Sequence, residues 1–109
     1  MADELPPTSP GPRAPELLSD DQITEELASR SNWRAAGTAL LRTAELPTFP
    51  KAIEAVGKIG AIAEELDHHP DIDIRWRKLH FSLSTHSEGG ITTNDVQLAD
   101  RIDAVLAEY

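Results

Sequence analysis

Pro70 separates two incompatible hydrophobic rhythms, and that change of period commits the chain to a mixture of helix and sheet. Upstream, Phe49, Ile53, Val56, Ile59, Ile62, Ala63 and Leu66 recur at steps of three and four, which gathers them on one stripe of an α-helix. Pro50 sits where the first turn of that helix has no use for an amide hydrogen. Downstream of Pro70 the step is two. Ile72, Ile74 and Trp76 share one parity, and Leu79, Phe81, Leu83 and Thr85 share the other, so the phase changes near Arg77-Lys78 at a turn or a bulge. On this reading His80, Ser82, Ser84 and His86 point away from the apolar row.

Helix signals flank this pair of segments. Ser19 with Gln22 forms a capping box, Leu18 and Ile23 are spaced as its hydrophobic staple, and the first helix should run to Arg30–Asn32. Thr92 with Asp95 repeats the box ahead of Val96, Ala99, Ile102, Val105 and Leu106, the buried stripe of a last helix. Between Trp33 and Leu46, Ala35-Ala36-Gly37-Thr38 reads as the turn of a hairpin of two short strands. The predicted order is α-β-β-α-β-β-α, an α+β domain with an antiparallel sheet covered on one face. Gly57 and Gly60 inside the second helix each cost roughly 1 kcal/mol against Ala, tolerable if another element packs closely there.

Five of the eight prolines lie in the first fifteen residues, which carry almost no large apolar side chains, so residues 1–15 read as a flexible tail and 16–109 as one domain. At 109 residues the core is small and self-association is expected. With no cysteine there is neither a disulfide framework nor a thiolate metal site. No run of eighteen apolar residues and no basic-then-apolar leader is present, which points to the cytoplasm. Nineteen acidic against ten basic residues give a formal charge of -9, which opposes direct binding to nucleic acid or anionic membrane.

All four histidines, His68, His69, His80 and His86, fall within residues 68–86. They admit three readings. They are surface residues, as His80 is best taken to be. They are metal ligands with Asp95, although adjacent residues such as His68 and His69 diverge and no HExxH spacing exists. Or they are the acid and base of a cofactor-free dehydration, since imidazole near neutral pH serves either role. Asp95, third in its helix, has a sufficient capping reason to be acidic, and Trp33 and Trp76 read as packing residues.

Glu64, three residues, His68-His69-Pro70, five residues, Trp76, nine residues, His86, eight residues and Asp95 together resemble the signature of the pterin-4a-carbinolamine dehydratases. The likeness extends over residues 17–109, including Ser84-Thr85-His86 and Asp95-Val96-Gln97-Leu98-Ala99. It implies a four-stranded antiparallel sheet with three helices on one face, assembled as a homodimer or homotetramer. It further implies dehydration of 4a-hydroxytetrahydropterin to quinonoid dihydropterin in pterin recycling, with no metal or organic cofactor. By position, His68 and His86 would be acid and base, and His69 would hold the pterin. Asp67, Pro70, Ser84, Thr85 and Ser87 would line the pocket, with Asp95 steadying a histidine. Ser87 departs from the Glu frequent in animal members, removing a carboxylate from the rim. The same resemblance carries an alternative, a non-enzymatic interaction module, because family domains also serve as a dimerisation cofactor or as an assembly factor.

Overall fold

The computed structural model describes residues 15–109, so all of the expected proline-rich tail but Pro15 lies outside the described residues. The order is α1 (Asp20–Leu27), β1 (Arg34–Ala36), β2 (Ala39–Glu45), α2 (Phe49–Leu66), β3 (Asp71–Arg75), β4 (Lys78–Leu83) and α3 (Thr93–Leu106). The strands form one antiparallel sheet in the order β1-β2-β4-β3. This is the predicted α-β-β-α-β-β-α arrangement. Among the described residues no helix is long and apolar enough to cross a membrane.

The core lies between the sheet and α2 with α3. Alternation turns Leu40 and Ala44 of β2 and Leu79, Phe81 and Leu83 of β4 inward, and all are buried. From α3 come Val96, Leu98, Ala99, Ile102, Val105 and Leu106. Trp33 packs near Phe81 at 6.4 Å between ring centroids, and its indole N–H donates to Asp103 at 2.8 Å, so it is the packing residue expected. Both capping boxes form: Ser19 N–H donates to Gln22 Oε1 at 2.8 Å, and Thr92 N–H donates to Asp95 Oδ2 at 2.9 Å.

Four expectations need correction. Of the stripe expected on α2, Ile59 and Ala63 are buried and Val56, Ile62 and Leu66 pack half-buried against the core, but Ala52 and Ala55 join the inner line while Phe49 and Ile53 are 47% and 44% exposed. Close packing of α2 on α3 selects small side chains for the inner line, so residue size misdirects the reading of the helix face. Nothing lies within 4 Å of a Cβ built on Gly57 or Gly60, so the packing partner anticipated there is absent among the described residues. Trp76 is not on a strand face but in the β3–β4 turn, at φ 55° and 67% exposed, with the Arg77 guanidinium 4.7 Å from its ring. The turn folds the strands back so that Ile72 and Ile74 sit opposite Phe81 and Leu79.

Helix α1 ends at Leu27, short of Arg30. Arg30 leaves the helical path to clamp both oxygens of Asp100 on α3, at 2.8 and 2.9 Å. Ahead of α1, the Leu18 N–H donates to the Ile91 carbonyl at 2.9 Å and Leu17 bridges Thr92, tying the start of the domain to the entrance of α3.

Because Gly57 and Gly60 are exposed in mid-helix, Gly57→Ala and Gly60→Ala should each stabilise the fold by about 0.5–1 kcal/mol in urea denaturation. A loss of stability instead would reveal a surface packed against that face of α2.

Candidate acid–base site

The site is built where the end of α2 meets the start of α3. Helix α2 terminates because Asp67 takes the left-handed conformation (φ 51°, ψ 44°), one that Asp tolerates better than most residues. The His68 N–H then donates to the Ala63 carbonyl at 3.0 Å and the Asp67 N–H to the Glu64 carbonyl at 3.2 Å, the two bonds of a Schellman ending. This reversal sends the adjacent imidazoles to different partners. His68 Nε2 reaches Asp95 Oδ1 at 2.6 Å, with its side chain 12% exposed and that of Asp95 fully buried. His69 Nε2 turns back along its own helix to Glu64 Oε2 at 2.7 Å, in the open.

Asp95 stands at the centre of a buried polar network. Its second oxygen accepts from the Thr92 N–H at 2.9 Å and the Thr85 hydroxyl at 2.8 Å, and the two threonine hydroxyls meet at 2.7 Å. Thr85 is 5% exposed and Thr92 fully buried. A buried carboxylate is stable only with its lone pairs satisfied, and here each oxygen has a partner.

His86 opens a short 3-10 turn, His86–Glu88, that closes at Gly89 with φ 74°. It is therefore on a turn rather than on a strand, and it is exposed. Thr85 anchors that turn: its carbonyl accepts from the Glu88 and Gly89 amides at 3.0 Å each, and its N–H donates to Gly90 O at 2.8 Å. Thus His68, Asp95 and Thr85 are joined by direct hydrogen bonds, and His86 follows Thr85 in the chain.

The other predicted residues occupy varied places. Asp67 is exposed at the helix ending and Pro70 is half-buried at the start of β3. Ser87 Oγ donates to its neighbour Glu88 at 3.2 Å. The Ser84 hydroxyl is spent on the Thr38 carbonyl at 2.7 Å, in the turn between β1 and β2. His80 lies apart, on the face of the sheet away from the helices, with Nδ1 2.9 Å from Thr43 Oγ1 in a cleft of about 270 Å³. Among the described residues no three His, Asp or Glu side chains converge as a metal-holding group. Glu64 is one of the carboxylates that the charge around the histidines singles out, and it meets His69. Thr92 reads from the sequence only as a cap, although a capping Thr beside an acidic third residue is the signal of its further part in the network.

Chemically, an imidazole backed by a buried carboxylate is a group able to hold or pass a proton, and a second imidazole, His86, stands on the turn that follows Thr85. Replacing Asp95 with Ala should cost about 3–5 kcal/mol in chemical denaturation, because it strips partners from His68, Thr85 and the Thr92 amide together.

The sequence profile described as pterin 4 alpha carbinolamine dehydratase matches residues 16–105. A Mycolicibacterium smegmatis protein named "Putative pterin-4-alpha-carbinolamine dehydratase" is 48% identical over 92 residues, 84% of this chain and 98% of that one. The crystal structure of a transcriptional coactivator/pterin dehydratase from Brucella melitensis superposes with a TM-score of 0.81 at 27% identity, covering 84% of this chain and 99% of that one. A pterin dehydratase-like RuBisCO assembly factor of the alpha-carboxysome shares the fold at 17% identity, with a TM-score of 0.57 over 68% of this chain and 86% of that one.

Proposed function

Because the chain belongs to the pterin 4 alpha carbinolamine dehydratase family, we propose that it removes water from a 4a-hydroxytetrahydropterin by histidine acid–base catalysis in the cytoplasm. The reaction breaks the C4a–O bond. The hydroxyl leaves with one added proton as water, a ring nitrogen gives up one proton, and the product is the quinonoid dihydropterin. No electrons are exchanged with a second reactant, so one acid and one base suffice.

The observation that carries this reading is the pairing of His68 with the buried Asp95 carboxylate, at 2.6 Å, beside the turn that presents His86. In our assignment His68 and His86 are the acid and base. His69, held by Glu64, binds the pterin, and Asp67, Pro70 and Ser87 form the rim. Relatives named as pterin dehydratases support the reaction class, and the presence of His68 and His86 favours it over a purely architectural role.

The exposed Phe49 and Ile53 on α2 favour a second, compatible reading, a protein contact made by that helix. They support either assembly as a homodimer or homotetramer or an interaction module that binds another protein.

The test is the rate of dehydration of 4a-hydroxytetrahydropterin generated by a phenylalanine hydroxylase. The native protein should accelerate it, and His68→Ala and His86→Ala should each lose on the order of 10²–10⁴-fold. Folded protein that leaves the spontaneous rate unchanged would turn the reading toward the interaction module.

A further inference from the structure

Thr85 serves two different histidines, His68 through its hydroxyl on Asp95 and His86 through the backbone bonds that hold its turn. We infer that Thr85, assisted by Thr92, is the positioning residue that fixes which nitrogen of His68 carries the proton and holds the His86 turn in register with it. This rests on the dehydratase reading for its kinetic consequence, though not for its structural one.

The hydrogens can be assigned by elimination. The Thr92 amide has only a donor, and it is directed at Asp95 Oδ2. The Thr85 hydroxyl has one hydrogen, donated to the same oxygen at 2.8 Å. The 2.7 Å contact between the two threonines is then donated by Thr92, whose own oxygen accepts the Asn94 amide at 3.2 Å. Every hydrogen in the chain thus runs toward the carboxylate. With Oδ2 holding two donors, Oδ1 is left to His68 alone, and an acceptor there requires that Nε2 carry a hydrogen. In its neutral form His68 therefore keeps its lone pair on Nδ1.

Removal of the Thr85 hydroxyl would break this order at one point. Asp95 Oδ2 would lose a donor, the Thr92 hydroxyl would lose its acceptor and be free to turn to Oδ2 itself, and the carboxylate could rotate away from His68. The backbone bonds by which Thr85 carries the His86 turn would survive, because they use its carbonyl and amide. Thr85→Val accordingly separates the two services, and Thr85→Ser restores the hydroxyl alone.

The experiment is nitrogen NMR of the histidine side chains in the native protein, Thr85→Val and Thr85→Ser, with His68 identified by its disappearance in His68→Gln, alongside dehydration kinetics. We expect neutral His68 in the native protein as a single tautomer with the hydrogen on Nε2. In Thr85→Val we expect a mixture of tautomers and a fall in kcat on the order of 10- to 100-fold with little change in KM. In Thr85→Ser both should return. A native His68 with its hydrogen on Nδ1 overturns the inference without any variant, so a Thr85→Val that fails to fold does not shelter it. A Thr85→Val that keeps the native tautomer, or a Thr85→Ser that behaves like Val, overturns it as well. If the native protein shows the tautomer pattern yet no dehydration, the positioning role stands and the proposed reaction falls.

Discussion

A single buried carboxylate holds the functional end of this domain together. Asp95 closes the first turn of α3 through one oxygen and receives His68 through the other, so helix capping and histidine placement are one event. Burying such a group without partners would cost several kcal/mol, and its stability here depends on donors contributed by three separate segments. The end of α2, the turn after β4 and the start of α3 are consequently obliged to meet. Their meeting point is also where the chain before α1 is tied in, through Leu17 and Leu18 to Thr92 and Ile91.

The backbone around this point is shaped to serve it. Asp67 in the left-handed region turns His68 inward while leaving His69 outside, which is why two adjacent imidazoles acquire partners 31 residues apart in sequence, Asp95 and Glu64. An extended or continued helical path would give adjacent side chains divergent directions but no reason for one to reach α3. Gly89, also at positive φ, closes the turn that carries His86, and Gly90 lies so near Leu17 that an added Cβ would stand 3.0 Å from its Cδ2. A Cβ at position 90 would require the tip of the half-exposed Leu17 side chain to give by a few tenths of an ångström.

Much of this was legible from residue order alone, where the governing physics is local. Ser19-x-x-Gln22 and Thr92-x-x-Asp95 announce caps that form as expected, and the inward residues of α3 apart from Leu98 follow from their spacing. The grouping of His68, His86 and Asp95 was legible as a motif, although no local rule links residues 27 positions apart. What was not legible depends on tertiary approach. The face of α2 is chosen by how closely it lies on α3, so alanines displace Phe49 and Ile53 from the interior despite their greater hydrophobicity. Trp76 continued the period-two rhythm by chance of spacing, and only the pairing of Arg75 with Lys78 reveals it as the tip of a hairpin. Thr85 matched the parity of the core strand and is indeed buried, but for its hydroxyl rather than its methyl group.

In the reaction proposed for this chain, proton transfer falls to one histidine in a buried network and another on an exposed turn. His68 loses rotational freedom to its carboxylate, so the entropy of orienting it is settled on folding rather than on ligand binding. The His86 side chain is exposed and makes no hydrogen bond among the described residues, while its backbone turn is anchored by the amides that converge on the Thr85 carbonyl. A dehydration that delivers a proton at one atom and takes one at another is the reaction proposed for this pair, with His68 fixed in direction by Asp95. The fixed group derives its direction from a helix cap, so any change that frays the first turn of α3 reaches the chemistry before it reaches the hydrophobic core.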